Sequence, residues 1–152
     1  MWNVVFIDGK PYNLDLTWDD PIGEGVTQNK RYTYFNITDE EILKTHTFSD
    51  ASACCTATDS NYFVKLGRQF DGYNAETKTA LSNMFGGHKS GDKLDVRFSS
   101  EDAYQRAIDG LLKKEEIYRL LSIADAGKGG FSTTQINYIA DDTHCVIEFI
   151  LV

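Results

Sequence analysis

The dipeptide Asp8-Gly9, flanked on both sides by β-forming residues, constrains the fold of this chain more than any other short feature. Asp-Gly reaches the positive φ values that a two-residue type I′ turn requires, and such turns match the twist of paired strands. Val4-Val5-Phe6-Ile7 leads in, and Tyr12 to Trp18 alternates out. Tyr12, Leu14, Leu16 and Trp18 share one face, with Asn13, Asp15 and Thr17 on the other. The sequence therefore predicts a hairpin over 1–18 in which Ile7 lies opposite Lys10, and Trp2 opposite Asp15. Asp19-Asp20-Pro21 closes it, because proline cannot donate to a ladder. Gly23 and Gly25 mark the next loop.

Further along, Arg31-Tyr32-Thr33-Tyr34-Phe35 reads as another strand. Thr38-Asp39-Glu40-Glu41 fits a capping box, with Thr38 as N-cap, Glu41 reaching back from the third helical position, and a short helix to about Lys44. Residues 45–60 are rich in Ser, Thr, Ala and Asp and lack apolar periodicity. A domain boundary is expected there, giving units 1–48 and 49–152. In the second unit Tyr62–Leu66 reads as a strand, extending toward Phe70. Asn74 caps a helix carrying Leu81, Met84 and Phe85, stopped by Gly86-Gly87. Leu94, Val96 and Phe98 alternate in a strand. Ser99 or Ser100 opens a helix with Ala103, Tyr104, Ala107, Leu111 and Leu112 on its stripe. Glu115 to Ala124 continues or restarts helically. Gln135–Ala140 and His144–Leu151 form a hairpin, the last strand apolar on both faces and hence central. The expected class is α+β, with antiparallel strands followed by a β-α-β-α-α-β-β unit whose helices cover one sheet face.

Composition narrows the function classes. The 152 residues are 41% hydrophobic and 25% charged, an ordinary globular balance. A net charge of −8 argues against a general nucleic-acid partner, and no apolar run approaches the ~18 residues that membrane insertion needs. Three cysteines, two of them adjacent, make no disulfide framework.

The paired motifs of the first 48 residues are specific: Trp2-Asn3, then Asp8-Gly9-Lys10, then Tyr12-Asn13-Leu14-Asp15-Leu16-Thr17-Trp18-Asp19-Asp20-Pro21. Arg31 to Glu41 and His46-Thr47 extend the match. They resemble the bacterial transglutaminase-like family, in which a His-Ala-Trp-Asn strand precedes a Gly-Lys-Trp-Tyr strand ending in Asp-x-Thr-Trp-Asp-Asp. Cys54 and Asn61-Tyr62-Phe63 resemble the segment C-terminal to that core in some members. The resemblance implies a papain-like thiol site of Cys, His and Asp, acting on a protein or peptide substrate by acyl transfer or amide hydrolysis, at the surface of a bacterium or outside it. Asp15 stands at the Asp position. The family's His stands two residues before Trp2 and its Cys further upstream on a helix, so this chain is expected to carry Asp15 alone, as a vestigial triad member, and to be catalytically silent. Half-covered strands with Val5, Leu14 and Trp18 then favour pairing with a second copy. The competing reading is a non-catalytic module that binds protein or cell wall.

Other candidates read more simply as structure. Cys145 follows His144 on a strand, where alternation points the two apart, and is expected in the core. Cys54 and Cys55, about eight residues after His46, are expected to pack at a loop or strand edge. A zinc site from the three cysteines and a histidine lacks the usual paired spacing, so no metal or cofactor is expected. Gly127-Lys128-Gly129-Gly130 lacks the phosphate-loop pattern and reads as a surface loop. Half of Tyr32, Tyr34 and Phe35 should pack inward. Asp39-Glu40-Glu41 suits a first helical turn, and Asp19-Asp20 makes no calcium loop.

Overall fold

A computed structural model describes residues 2–19, 32–48 and 54–152. The chain is α+β and divides into two compact units, 1–68 and 69–152.

The first unit is built on the predicted hairpin. Strands β1 (Asn3–Ile7) and β2 (Lys10–Leu14) pair antiparallel from Ile7↔Lys10 to Asn3↔Leu14. Asp8 and Gly9 take φ values of 51° and 76°, the left-handed pair that the turn needs. The second strand ends at Leu14, earlier than the alternation implies. Asp15 turns the chain into a short helix, α1 (Leu16–Asp19), so Leu16 and Trp18 leave the strand face and are exposed. Strand β3 (Phe35–Ile37) pairs with β2 and completes an order β1-β2-β3. It starts later than predicted: 32–34 form a turn, and Arg31 lies outside the described residues.

Helix α2 (Asp39–Ile42) starts as the capping pattern requires, with Thr38 Oγ1 accepting from the Glu41 amide. The Glu41 carboxylate takes Lys44 at 3.1 Å instead of reaching back. Helix α3 (Tyr62–Lys65) replaces the strand predicted over 62–66. The Asn61 side chain accepts from the Phe63 and Val64 amides, an N-cap that outweighs the β propensity of Tyr-Phe-Val.

The first unit therefore runs 20 residues past the expected boundary at 48, to Arg68. Polar side chains tie that extra length in. Asp59 accepts from Tyr12 Oη at 2.7 Å and Lys10 Nζ at 2.8 Å. Asn61 Nδ2 donates to the Phe35 carbonyl, and Asn36 Nδ2 donates to the Ser60 carbonyl. A composition of Ser, Thr and Asp reads as linker when it is in fact spent on hydrogen bonds.

The second unit has the predicted element order. Strands β4 (Gln69–Phe70), β5 (Lys93–Phe98), β6 (Ile136–Asp141) and β7 (Val146–Leu151) form a sheet of order β4-β5-β7-β6, with β4 parallel to β5 and the other pairs antiparallel. The doubly apolar strand β7 is central, as its sequence requires. Helix α4 (Ala75–Phe85) is capped by Asn74, whose Oδ1 accepts from Thr77. Helix α5 (Glu101–Ala107) is capped by Ser100. Leu81, Phe85, Tyr104, Leu111 and Leu121 pack with Val96, Phe98, Ile147 and Phe149 in one core. Each such burial contributes roughly 1.5–3 kcal/mol.

Helix α5 runs into a π-helical stretch, Ile108–Lys113, before Glu115 at φ 58° breaks the path and helix α6 (Glu116–Asp125) restarts. The wider turn accommodates Tyr73 against Gly110. A Cβ on Gly110 would lie 2.2 Å from Tyr73 Cε1. Only a residue without a side chain allows that approach.

Candidate functional site

Asp15 is the residue on which the first unit converges. It is 1% exposed, and its position is set by the end of β2. Its Oδ1 accepts from the amides of Thr17 at 3.0 Å and Trp18 at 3.1 Å, so the side chain caps α1. Its backbone amide donates to the Tyr34 carbonyl, and its carbonyl accepts from Asp19. The second oxygen, Oδ2, receives His46 Nε2 at 3.2 Å. A carboxylate offers about four acceptor positions. The described residues fill three of Asp15's, leaving one on Oδ2.

His46 is held just as firmly. Its amide donates to Ile42 O at the end of α2, and its Nδ1 lies 2.8 Å from Thr45 Oγ1, which donates in turn to Tyr34 Oη. Three aromatic rings enclose the imidazole: Trp18 at 4.6 Å between centroids, Trp2 at 5.2 Å and Tyr34 at 5.3 Å. With both ring nitrogens engaged, His46 presents no free base to a thiol.

Two further groups frame the pair. The Trp2 indole donates to Asn13 Oδ1, and Asn13 Nδ2 donates to Asp39 Oδ1 at 2.8 Å. Asp39 Oδ2 then accepts from the Cys55 amide, and the Asp39 amide donates to the Cys55 carbonyl. This relay, anchored on the Asp39 carboxylate, fixes Trp2 against His46. Asp19 is 4% exposed and accepts from the Tyr34 amide at 2.7 Å through Oδ1, while its Oδ2 is buried without a partner among the described residues. Burial first, and the nearby Asp15 charge as well, push the Asp19 carboxyl up to about 7 despite the stabilising Tyr34 amide.

The sequence places Asp15 on a strand, level with Trp2. The observed ladder ends one step earlier, at Asn3↔Leu14, and Asp15 leads into the helical turn of α1. What sequence reasoning missed is His46. It lies 31 residues away and carries no spacing signal toward Asp15; in sequence its nearest chemical neighbours are the thiols at 54 and 55.

Those thiols form no reactive centre among the described residues. Cys54 is exposed. Cys55 is 1% exposed, and burial together with the Asp39 carboxylate pushes its thiol up to about 11. Cys145 packs in the core of the second unit. His144 and Cys145 are not on a strand, as the sequence suggests; β7 begins at Val146, and Cys145 has φ 56°. His144 Nδ1 meets Asp141 Oδ2 at 3.0 Å.

The glycine loop after α6 is organised by Asp125, which accepts from the Gly129 and Gly130 amides at 2.9 and 2.8 Å and occupies the donors a phosphate would need. Tyr34 is buried, whereas Tyr32 is half-buried and stacks on Tyr62 at 4.0 Å. Asp20 lies outside the described residues. Among the described residues no group of three His, Cys, Asp or Glu side chains is placed to hold a metal, and no helix is long and apolar enough to cross a membrane.

Compared with models of known protein families and with curated proteins, the chain matches none.

Proposed function

We propose that the first unit is the C-terminal portion of a transglutaminase-like thiol core, with Asp15 as its orienting carboxylate, and that this chain by itself is catalytically silent. The observation that carries the reading is the geometry of Asp15. It is buried, fixed by two amides and an imidazole, and keeps one acceptor position on Oδ2. In the transglutaminase-like arrangement a histidine stands two residues before Trp2, on the strand that runs alongside Asp15. An Asp with one acceptor position left can take that imidazole, fix its tautomer and stabilise its cation. The parent reaction is attack of a thiolate on a protein or peptide amide. A thioester forms as the amine leaves, and an amine or water then resolves it. Silence is expected because the triad His and Cys of the transglutaminase-like arrangement stand upstream of Trp2, while Cys55 and Cys145 are buried and burial with the Asp39 carboxylate pushes the Cys55 thiol up.

Two measurements test this. Extending the chain so that a histidine directly precedes Met1 should give an imidazole that titrates above its free value, and Asp15→Asn should return it to that value. An added imidazole that titrates as a free one overturns the assignment. The chain itself should show no glutamine deamidation, amine incorporation or peptidase turnover. Turnover lost on substituting Cys54, Cys55 or Cys145 would overturn the silence.

A second reading, a non-catalytic binding module, draws on one observation. In the first unit Phe6, Leu16 and Trp18 are 68%, 57% and 44% exposed, and among the described residues β1 is an edge strand. Exposed apolar side chains beside an open edge favour strand pairing, most simply with a second copy. Of the three residues expected to be exposed, Trp18 is, whereas Val5 and Leu14 are half-buried and Phe6 is exposed instead. Light scattering that shows a monomer at all concentrations excludes the pairing.

A further inference from the structure

Helices α4 and α6 leave a trough of about 360 Å³ along their outer seam, at the small end of the ~300–1,000 Å³ typical of small-molecule sites. Each helix contributes one continuous row. Ala75, Lys78, Thr79 and Ser82 stand at i, i+3, i+4 and i+7 on α4. Glu116, Arg119, Leu120 and Ile123 repeat that spacing on α6.

The polar groups of the trough are not equivalent. Ser82 Oγ is spent on the Leu120 carbonyl at 3.2 Å. Glu116 is neutralised: its Oε2 receives Lys78 Nζ at 2.8 Å and the Tyr73 hydroxyl, and both hold the Glu116 carboxyl below its ordinary value. Lys78 is spent in the same pair and lies over the Tyr73 ring. Arg119 has no ion-pair or hydrogen-bond partner among the described residues. The lining therefore carries one uncompensated charge, a guanidinium, beside an apolar wall that ends in Ile123, which is 58% exposed.

We propose that this trough binds a small organic carboxylate with an apolar tail. The tail lies along Leu120 and Ile123, and the carboxylate takes the Arg119 fork. A cationic ligand meets a lining that holds two cations, Lys78 and Arg119, against the single carboxylate of Glu116, and the net positive charge disfavours it. A purely apolar ligand leaves the guanidinium unused. The site belongs to the second unit and is independent of the Asp15 reading.

The test is an amide chemical-shift titration of the full chain with octanoate, octanol and octylamine. Octanoate should shift residues of 75–83 and 116–123, with a Kd of about a millimolar, as expected for so few atoms. Octylamine should leave them in place. Arg119→Gln, at an exposed position, should weaken octanoate about 5–10-fold while the rest of the spectrum stays unchanged. Ile123→Gln should weaken octanoate and octanol together. Equal binding of octanol and octanoate, an Arg119→Gln variant that binds as wild type, or the absence of shifts in both helices would each overturn the proposal.

Discussion

Asp15 and His46 meet at 3.2 Å inside a ring of Trp2, Trp18 and Tyr34, and together they join the end of β2 to the end of α2. The carboxylate also caps α1, so one side chain sets the path of the chain after the hairpin. Removing the imidazole leaves a carboxylate oxygen buried without a partner. His46→Ala should cost about 3 kcal/mol in chemical denaturation. The tryptophan fluorescence should change as well, since both indoles of the chain pack on this ring.

Asp19 gives the protein a definite pH dependence. In the unfolded chain its carboxyl ionises near pH 4, whereas in the fold it holds its proton up to about 7. Between these values the native state binds the extra proton, so stability falls as pH rises from about 4 to about 7 and is level above. Asp19→Asn keeps an acceptor for the Tyr34 amide and cannot ionise. It should flatten this limb and raise stability above pH 7 by on the order of 2 kcal/mol. Parallel stability curves for the two proteins would refute the assignment.

Thiol reactivity should divide the three cysteines. The exposed Cys54 should label with a maleimide at neutral pH. Cys55, buried and pushed up to about 11, and Cys145 in the core should label only after unfolding. Mass spectrometry of the native protein should find one adduct, at Cys54.

The contact between Gly110 and Tyr73 should tolerate no side chain. Gly110→Ala places a methyl 2.2 Å from Tyr73 Cε1, and overpacking of this kind costs about 1–3 kcal/mol. Adding Tyr73→Ala should relieve the clash, so the two substitutions together should cost less than the sum of each alone.

The features legible in the sequence are those that depend on neighbours. The Asp8-Gly9 turn, the caps at Thr38, Asn74 and Ser100 and the central strand β7 all arise from local chemistry, and the structure contains each of them. The helix at 62–65 escaped because a single cap at Asn61 overrode a β-favouring triplet. The first unit's extent escaped because polar side chains reaching across 47 and 49 residues leave no periodic trace. The burial of Asp15 at the end of β2 has no local signal in the sequence. His46 was not visible as its partner, because only the folded chain brings the end of α2 to the end of β2.

The tie between Asp59 and the Tyr12–Lys10 edge of the hairpin, with the Asp39–Cys55 and Asn61–Phe35 bonds, has a practical consequence for anyone dissecting this chain. Residues 54–61 act as a clasp that belongs to the first unit. A fragment ended at 48 for convenience would strip the hairpin of its polar partners and should not fold, whereas one ended after Arg68 keeps the clasp shut.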